Sequence, residues 1–141
     1  MAETLGSLID KFAIASLRLE HSKPEMVKAV ELQKNDLKKE IDEYLSLAID
    51  GSVRLLEPKY KAYKGENASD VKFSNMGEAI ESLFKSNSML WNLEDERRDK
   101  SRTDAEIRVI CDDVAKFNRI RNDSMDEINK LLNGLINPKK P

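Results

Sequence analysis

The chain has 141 residues, with 24 Lys plus Arg against 26 Asp plus Glu, a formal net charge of -2, and a composition 40% apolar, 35% charged and 6% aromatic. One cysteine and one histidine exclude an internal disulfide framework, a cysteine-rich zinc site and any metal site built from several imidazoles. Balanced charge argues against nucleic acid as a partner, and no apolar run approaches a membrane span.

The opening Met1-Ala2-Glu3-Thr4 lacks the basic and apolar regions of a signal peptide, so the expected location is cytoplasmic, with no membrane partner. From Thr4, the residues Leu5, Leu8, Ile9, Phe12, Ala15, Ser16 and Leu19 follow a 3.6-residue period. Ala13, Ile14 and Leu17 widen the apolar surface beyond one face, which predicts a central helix. Ser22-Lys23-Pro24-Glu25 offers a serine cap, an early proline and a glutamate three residues on, the signature of a second helix start.

That second helix is expected to run to about Ala48, with Met26, Val27, Val30, Leu37, Ile41, Tyr44, Leu45 and Ala48 inward and Asp50-Gly51 as its stop. Ser52 to Leu56 could add a turn or two of helix. The segment from about 58 to 75 reads as an irregular connection, basic at Lys59, Lys61 and Lys64 with Tyr60 and Tyr63 interleaved. A third helix is predicted from Met76 to about Asp99, its stripe being Ile80, Leu83, Phe84, Asn87, Leu90, Trp91 and Glu94. Thr103-Asp104-Ala105-Glu106 is a capping box that opens a long fourth helix, ending at Asn133-Gly134 or a few residues later. Its stripe is Ile107, Ile110, Cys111, Val114, Phe117, Met125, Ile128, Leu131, Leu132 and Leu135, and Cys111 reads as a buried small hydrophobe.

The two halves echo each other. Lys34-Asn35-Asp36, Glu40-Ile41-Asp42 and Leu45 match Arg121-Asn122-Asp123, Glu127-Ile128-Asn129 and Leu132 at a constant offset. Leu5-Gly6 and Ile9-Asp10 likewise resemble Met76-Gly77 and Ile80-Glu81. The expected fold is therefore all-α: one helical domain over 1–141, an antiparallel bundle of two related hairpins at 4–50 and 76–136. Amphipathic hairpins of this kind can exchange partners, which makes the chain a candidate homo-oligomer.

Charge interrupts two of the apolar stripes. Arg121 falls on the inward line of the fourth helix, Glu94 on that of the third, and a buried charge is costly unless paired. The predicted solution is a Glu94–Arg121 pair completed by Asn118 or Asn122, with Glu20 and Lys34 as its counterpart in the first half. A pair of this type can serve only to fix helix register. The functional alternative is a polar ligand pocket walled by Trp91 and lined by Glu94, Asp95, Arg98, Asn118, Arg121 and Asn122, suited to a nucleotide or other small phosphorylated ligand. His21 is expected at a helix end.

A magnesium-dependent nucleotide pyrophosphohydrolase is the catalytic alternative. Helical enzymes of that class resemble one another in two acidic pairs of three-residue spacing, a spacing met by Glu78 and Glu81 and by Glu96 and Asp99. If one unbroken helix carries both pairs they lie about 27 Å apart, so a break near Asn87-Ser88 would be required. No catalytic residue and no cofactor other than this alternative Mg²⁺ is assigned, and the leading expectation is a non-catalytic, self-associating binding or assembly protein.

Glu3-Thr4-Leu5-Gly6-Ser7-Leu8-Ile9-Asp10-Lys11, the segment Leu90-Trp91-Asn92-Leu93-Glu94-Asp95-Glu96-Arg97-Arg98-Asp99 and Arg121-Asn122-Asp123 together resemble an uncharacterised family of small helical bacterial and phage proteins. In that family the opening leads directly into the tryptophan segment, whereas here a long insertion separates them. Asn92 stands where the family commonly has a histidine. The resemblance implies a helical fold, a shared site at Trp91, Glu94, Asp95, Arg121 and Asn122, and a phage or surface-polysaccharide setting.

Overall fold

A computed structural model describes residues 3–53, 55, 73 and 75–137. Among them the chain forms four α-helices: α1 (Leu5–Glu20), α2 (Val27–Asp50), α3 (Met76–Arg97) and α4 (Asp104–Ile136), with a single 3-10 turn at Pro24–Met26 ahead of α2. The connection expected at 58–75, with its lysines and tyrosines, lies outside the described residues apart from Phe73 and Asn75.

The helix ends follow local chemistry. Thr4 accepts from the Ser7 amide while the Ser7 side chain accepts from the Thr4 amide, a reciprocal cap that starts α1. Asn75 accepts from the Glu78 amide at the start of α3. Thr103 and Glu106 cap α4 reciprocally, as expected. Gly51, at φ +84°, closes α2 in the left-handed conformation that glycine adopts without a Cβ clash. The cap expected at Ser22 does not form. Its hydroxyl turns back to the Arg18 carbonyl and serves the end of α1, so α2 begins later, at Val27, with no side-chain cap.

The Glu106 carboxylate is held below its ordinary value near 4.5, first by the Thr103 amide, then by the Thr103 side chain and Arg102. A depressed folded pKa gives stability that is complete above the unfolded value and is lost as pH falls through the folded one. Acidification from about pH 5 to 3 should therefore weaken the start of α4. Thermal unfolding of wild type and Glu106→Gln across that window checks this, since the variant should lack that part of the pH dependence.

α3 and α4 make the most extensive pairing, and α1 packs on α2, α3 and α4 alike, as its wide apolar surface predicts. Leu5, Ile9, Ala79, Leu83, Ile128 and Leu132 form the buried centre, with Ile41, Tyr44 and Leu45 of α2 packed against it. Ser124 is fully buried and donates to the Ile120 carbonyl at 2.7 Å, within 3.0 Å of the Ser82 hydroxyl. Such small side chains let α3 and α4 approach closely. Contacts between Arg18 and Gln33, and between Gly6 and Asn129, set α1 antiparallel to α2 and α4.

Three residues assigned to stripes lie outside the core. Met26 sits in the 3-10 turn, Leu135 is near the end of α4 beyond its neighbours, and Cys111 is exposed one step around the helix from buried Ile110. The echoed residues also occupy different surroundings. Gly6 is pressed against the α4 backbone and Gly77 is not; Asp10 is buried and Glu81 exposed.

No described helix is long and apolar enough to cross a membrane.

Candidate functional site

The polar fault in α4 is answered by α1, not by α3. Asp10 is buried on the face of α1 that carries Gly6 and Ala13, and its carboxylate meets Arg121 in a two-pronged pair. Nε donates to Oδ1 at 2.9 Å and the terminal NH2 group to Oδ2 at 2.6 Å. Asn87 of α3 donates from Nδ2 to the same Asp10 Oδ1 at 2.9 Å, and to the Leu83 carbonyl at 3.1 Å. One carboxylate thus ties three helices together. The planar guanidinium fork suits such a carboxylate. The Asp10 hydrogen bond is the main cause that holds the Arg121 pKa above its ordinary value, against the opposing effect of burial.

The expected Glu94–Arg121 pair is therefore corrected. Glu94 takes Arg97, whose Nε and NH2 groups both donate to Oε2, at 3.0 and 2.7 Å. This local i,i+3 contact needs no ordering of a distant helix. In the first half Lys34 lies over the Phe12 ring, 5.6 Å from its centroid, in place of the expected pairing with Glu20.

Beside this tie the helices part into an open cleft of about 410 Å³. Ile14, Leu17 and Leu90 line it, and Asn87 brings an amide to it. Trp91, Glu94 and Asp95 come from α3, Arg98 from the cap at its C-terminal end, and Asn118 and Arg121 from α4. Six of the seven residues singled out from sequence thus share one cavity. The seventh, Asn122, is exposed and does not line it. Arg98 and Asp95 are exposed at the rim and 3.9 Å apart. His21, at the end of α1 as expected, stacks on Trp91 with ring centroids 5.0 Å apart and planes 14° from parallel. That contact, and the part of Asp10, were not read from sequence.

The acidic pairs do not assemble. Glu78, Glu81 and Glu96 lie on one helix that runs unbroken through Asn87 and Ser88, which sets Glu78 and Glu96 about 27 Å apart. Asp99 lies beyond the end of α3 and accepts from the Ser101 amide and hydroxyl. Among the described residues no group of three or more His, Cys, Asp or Glu side chains is placed to hold a metal. The residues proposed for Mg²⁺ do not fit it.

The fold and cleft define an all-helical bundle with an open polar cavity at the tryptophan end. No protein-family model, no curated protein and no solved structure matches the chain.

Proposed function

We propose that this chain is a non-catalytic helical binding protein whose ligand, a small phosphorylated molecule such as a nucleotide or nucleotide sugar, sits in the cleft beside Trp91. The observation that carries this reading is the convergence of Trp91, Glu94, Asp95, Arg98, Asn118 and Arg121 on one cavity. A volume of about 410 Å³ falls within the range of small-molecule sites, and the cleft sets apolar Ile14, Leu17, Leu90 and Trp91 beside convergent polar side chains. The loose 3.9 Å contact between Arg98 and Asp95 leaves that guanidinium able to turn to a phosphate. Membership of the bacterial and phage family whose motifs these residues resemble, and a cytoplasmic setting, are part of the same proposal. The exposed free thiol of Cys111 suits a reducing compartment.

Trp91 is the single tryptophan, so its emission reports on the cleft directly. Titration with a panel of nucleotides and nucleotide sugars should change that emission saturably, and Arg98→Ala or Asn118→Ala should weaken the response. Unchanged emission across the panel, together with no heat of binding by calorimetry, would reject the cleft as the ligand site.

Assembly is the second reading, favoured by one observation. Among the described residues α2 packs principally on α1, and it leaves Leu32, Leu47 and Ile49 exposed.

A further inference from the structure

We infer that a second copy of this chain docks along the groove between α1 and α2, about a two-fold axis running parallel to both helices. The inference rests on the assembly reading and adds the surface and its geometry. The groove is about 510 Å³ and is lined by Lys11, Ile14 and Arg18 of α1 and by Leu32, Asp36 and Glu40 of α2. Leu32 is 63% exposed in the second turn of α2, and an apolar side chain so exposed gains from a covering surface.

Charge decides the occupant. The α1 bank of the groove is basic and the α2 bank acidic, so the surface is complementary to itself, as an isologous interface requires. The heights of these charges along the groove also agree. Arg18 donates to the Gln33 side chain at 2.8 Å, which places it level with the start of the acidic bank. Glu40 lies near enough to act on the Lys11 charge, although Lys11 itself bridges to Glu3. A two-fold axis along the groove keeps each residue at its height while exchanging α1 for α2. The second copy's Lys11 then faces Glu40 and its Arg18 faces the Gln33–Asp36 turn, while Ile14 of the two copies meets between these layers and Leu32 of the two copies meets beside the Arg18 layer.

The test is a dilution series followed by sedimentation and light scattering on the full chain. Wild type should be a dimer, and Glu40→Lys should raise the dissociation constant by at least about tenfold, because two-fold symmetry installs each repulsive pair twice. The double variant Lys11→Glu with Glu40→Lys should restore dimerisation. Leu32→Glu should give a monomer, whereas Val109→Glu, an exposed apolar position on α4, should leave the dimer intact. A wild type that stays monomeric at every concentration overturns the assembly reading and this inference with it. A dimer insensitive to the groove variants but lost in Val109→Glu overturns the inference alone. A monomer whose fold is weakened by Leu32→Glu would mean that another part of the same chain covers the groove, which also overturns it.

Discussion

Asp10→Ala should lower the free energy of unfolding by about 3 kcal/mol, near the lower end of what breaking a buried ion pair costs. The cost arises because Arg121 loses the carboxylate that accepts from its Nε and one terminal NH2 group and is left partly desolvated beside the core. The lower end applies because the Arg121 side chain keeps 29% of its exposure, at the cleft, and can recover some hydration. Asn87 would lose one acceptor but keep the Leu83 carbonyl. Replacing both charges, as Asp10→Leu with Arg121→Met, should recover most of the loss, since an apolar pair requires no desolvation of ions. Denaturant unfolding of the two single variants and the double variant checks this. A loss below about 1 kcal/mol for Asp10→Ala would mean that Arg121 rehydrates freely and that the tie holds little stability.

Gly6→Ala should cost about 2–3 kcal/mol, the range for forcing extra volume into a packed contact. A Cβ at Gly6 would lie 2.6 Å from the Met125 carbonyl oxygen and 3.1 Å from Asn129 Oδ1. The first neighbour is backbone and cannot turn aside, so α1 must lift from α4. The lift also strains the bond from the Gly6 amide to Asn129, now 2.8 Å, and the Asp10–Arg121 pair one turn along α1. Gly134→Ala is the contrast. Nothing lies within 4 Å of a Cβ there, so the change should stabilise α4 by about 0.5–1 kcal/mol through helix propensity. Thermal unfolding of the two variants should move in opposite directions, and a shared direction would contradict the close contact at Gly6.

Helix ends were legible where the signal is local. The Thr103–Glu106 cap and the Gly51 stop involve residues within a turn of each other, so sequence spacing alone specifies them. The cavity residues were legible for a related reason. Trp91, Glu94, Asp95 and Arg98 recur at three- and four-residue spacing on one helix, and Arg121 marked itself as a charge on an apolar line. What spacing could not supply was the partner. Arg121 reaches Asp10 because Gly6 lets α1 lie close to α4, a fact about two helices far apart in the chain. The sign that could have pointed to Asp10 was present, since Gly6, Asp10, Ala13 and Leu17 fall on one face of α1. The His21–Trp91 stack had no comparable sign, because it depends on where the end of α1 comes to rest beside α3.

The Asp10–Arg121 pair joins positions 111 residues apart, while the Arg18–Gln33 and Ser82–Ser124 contacts close over 15 and 42. Chain entropy makes the long closure the slowest to form, so each hairpin can zip before α1 settles onto α4. If the pair closes in that order, it stands on the native side of the folding barrier. The three-helix tie then acts less on how fast the protein folds than on how long it stays folded, making Asp10 a latch on the lifetime of the native state.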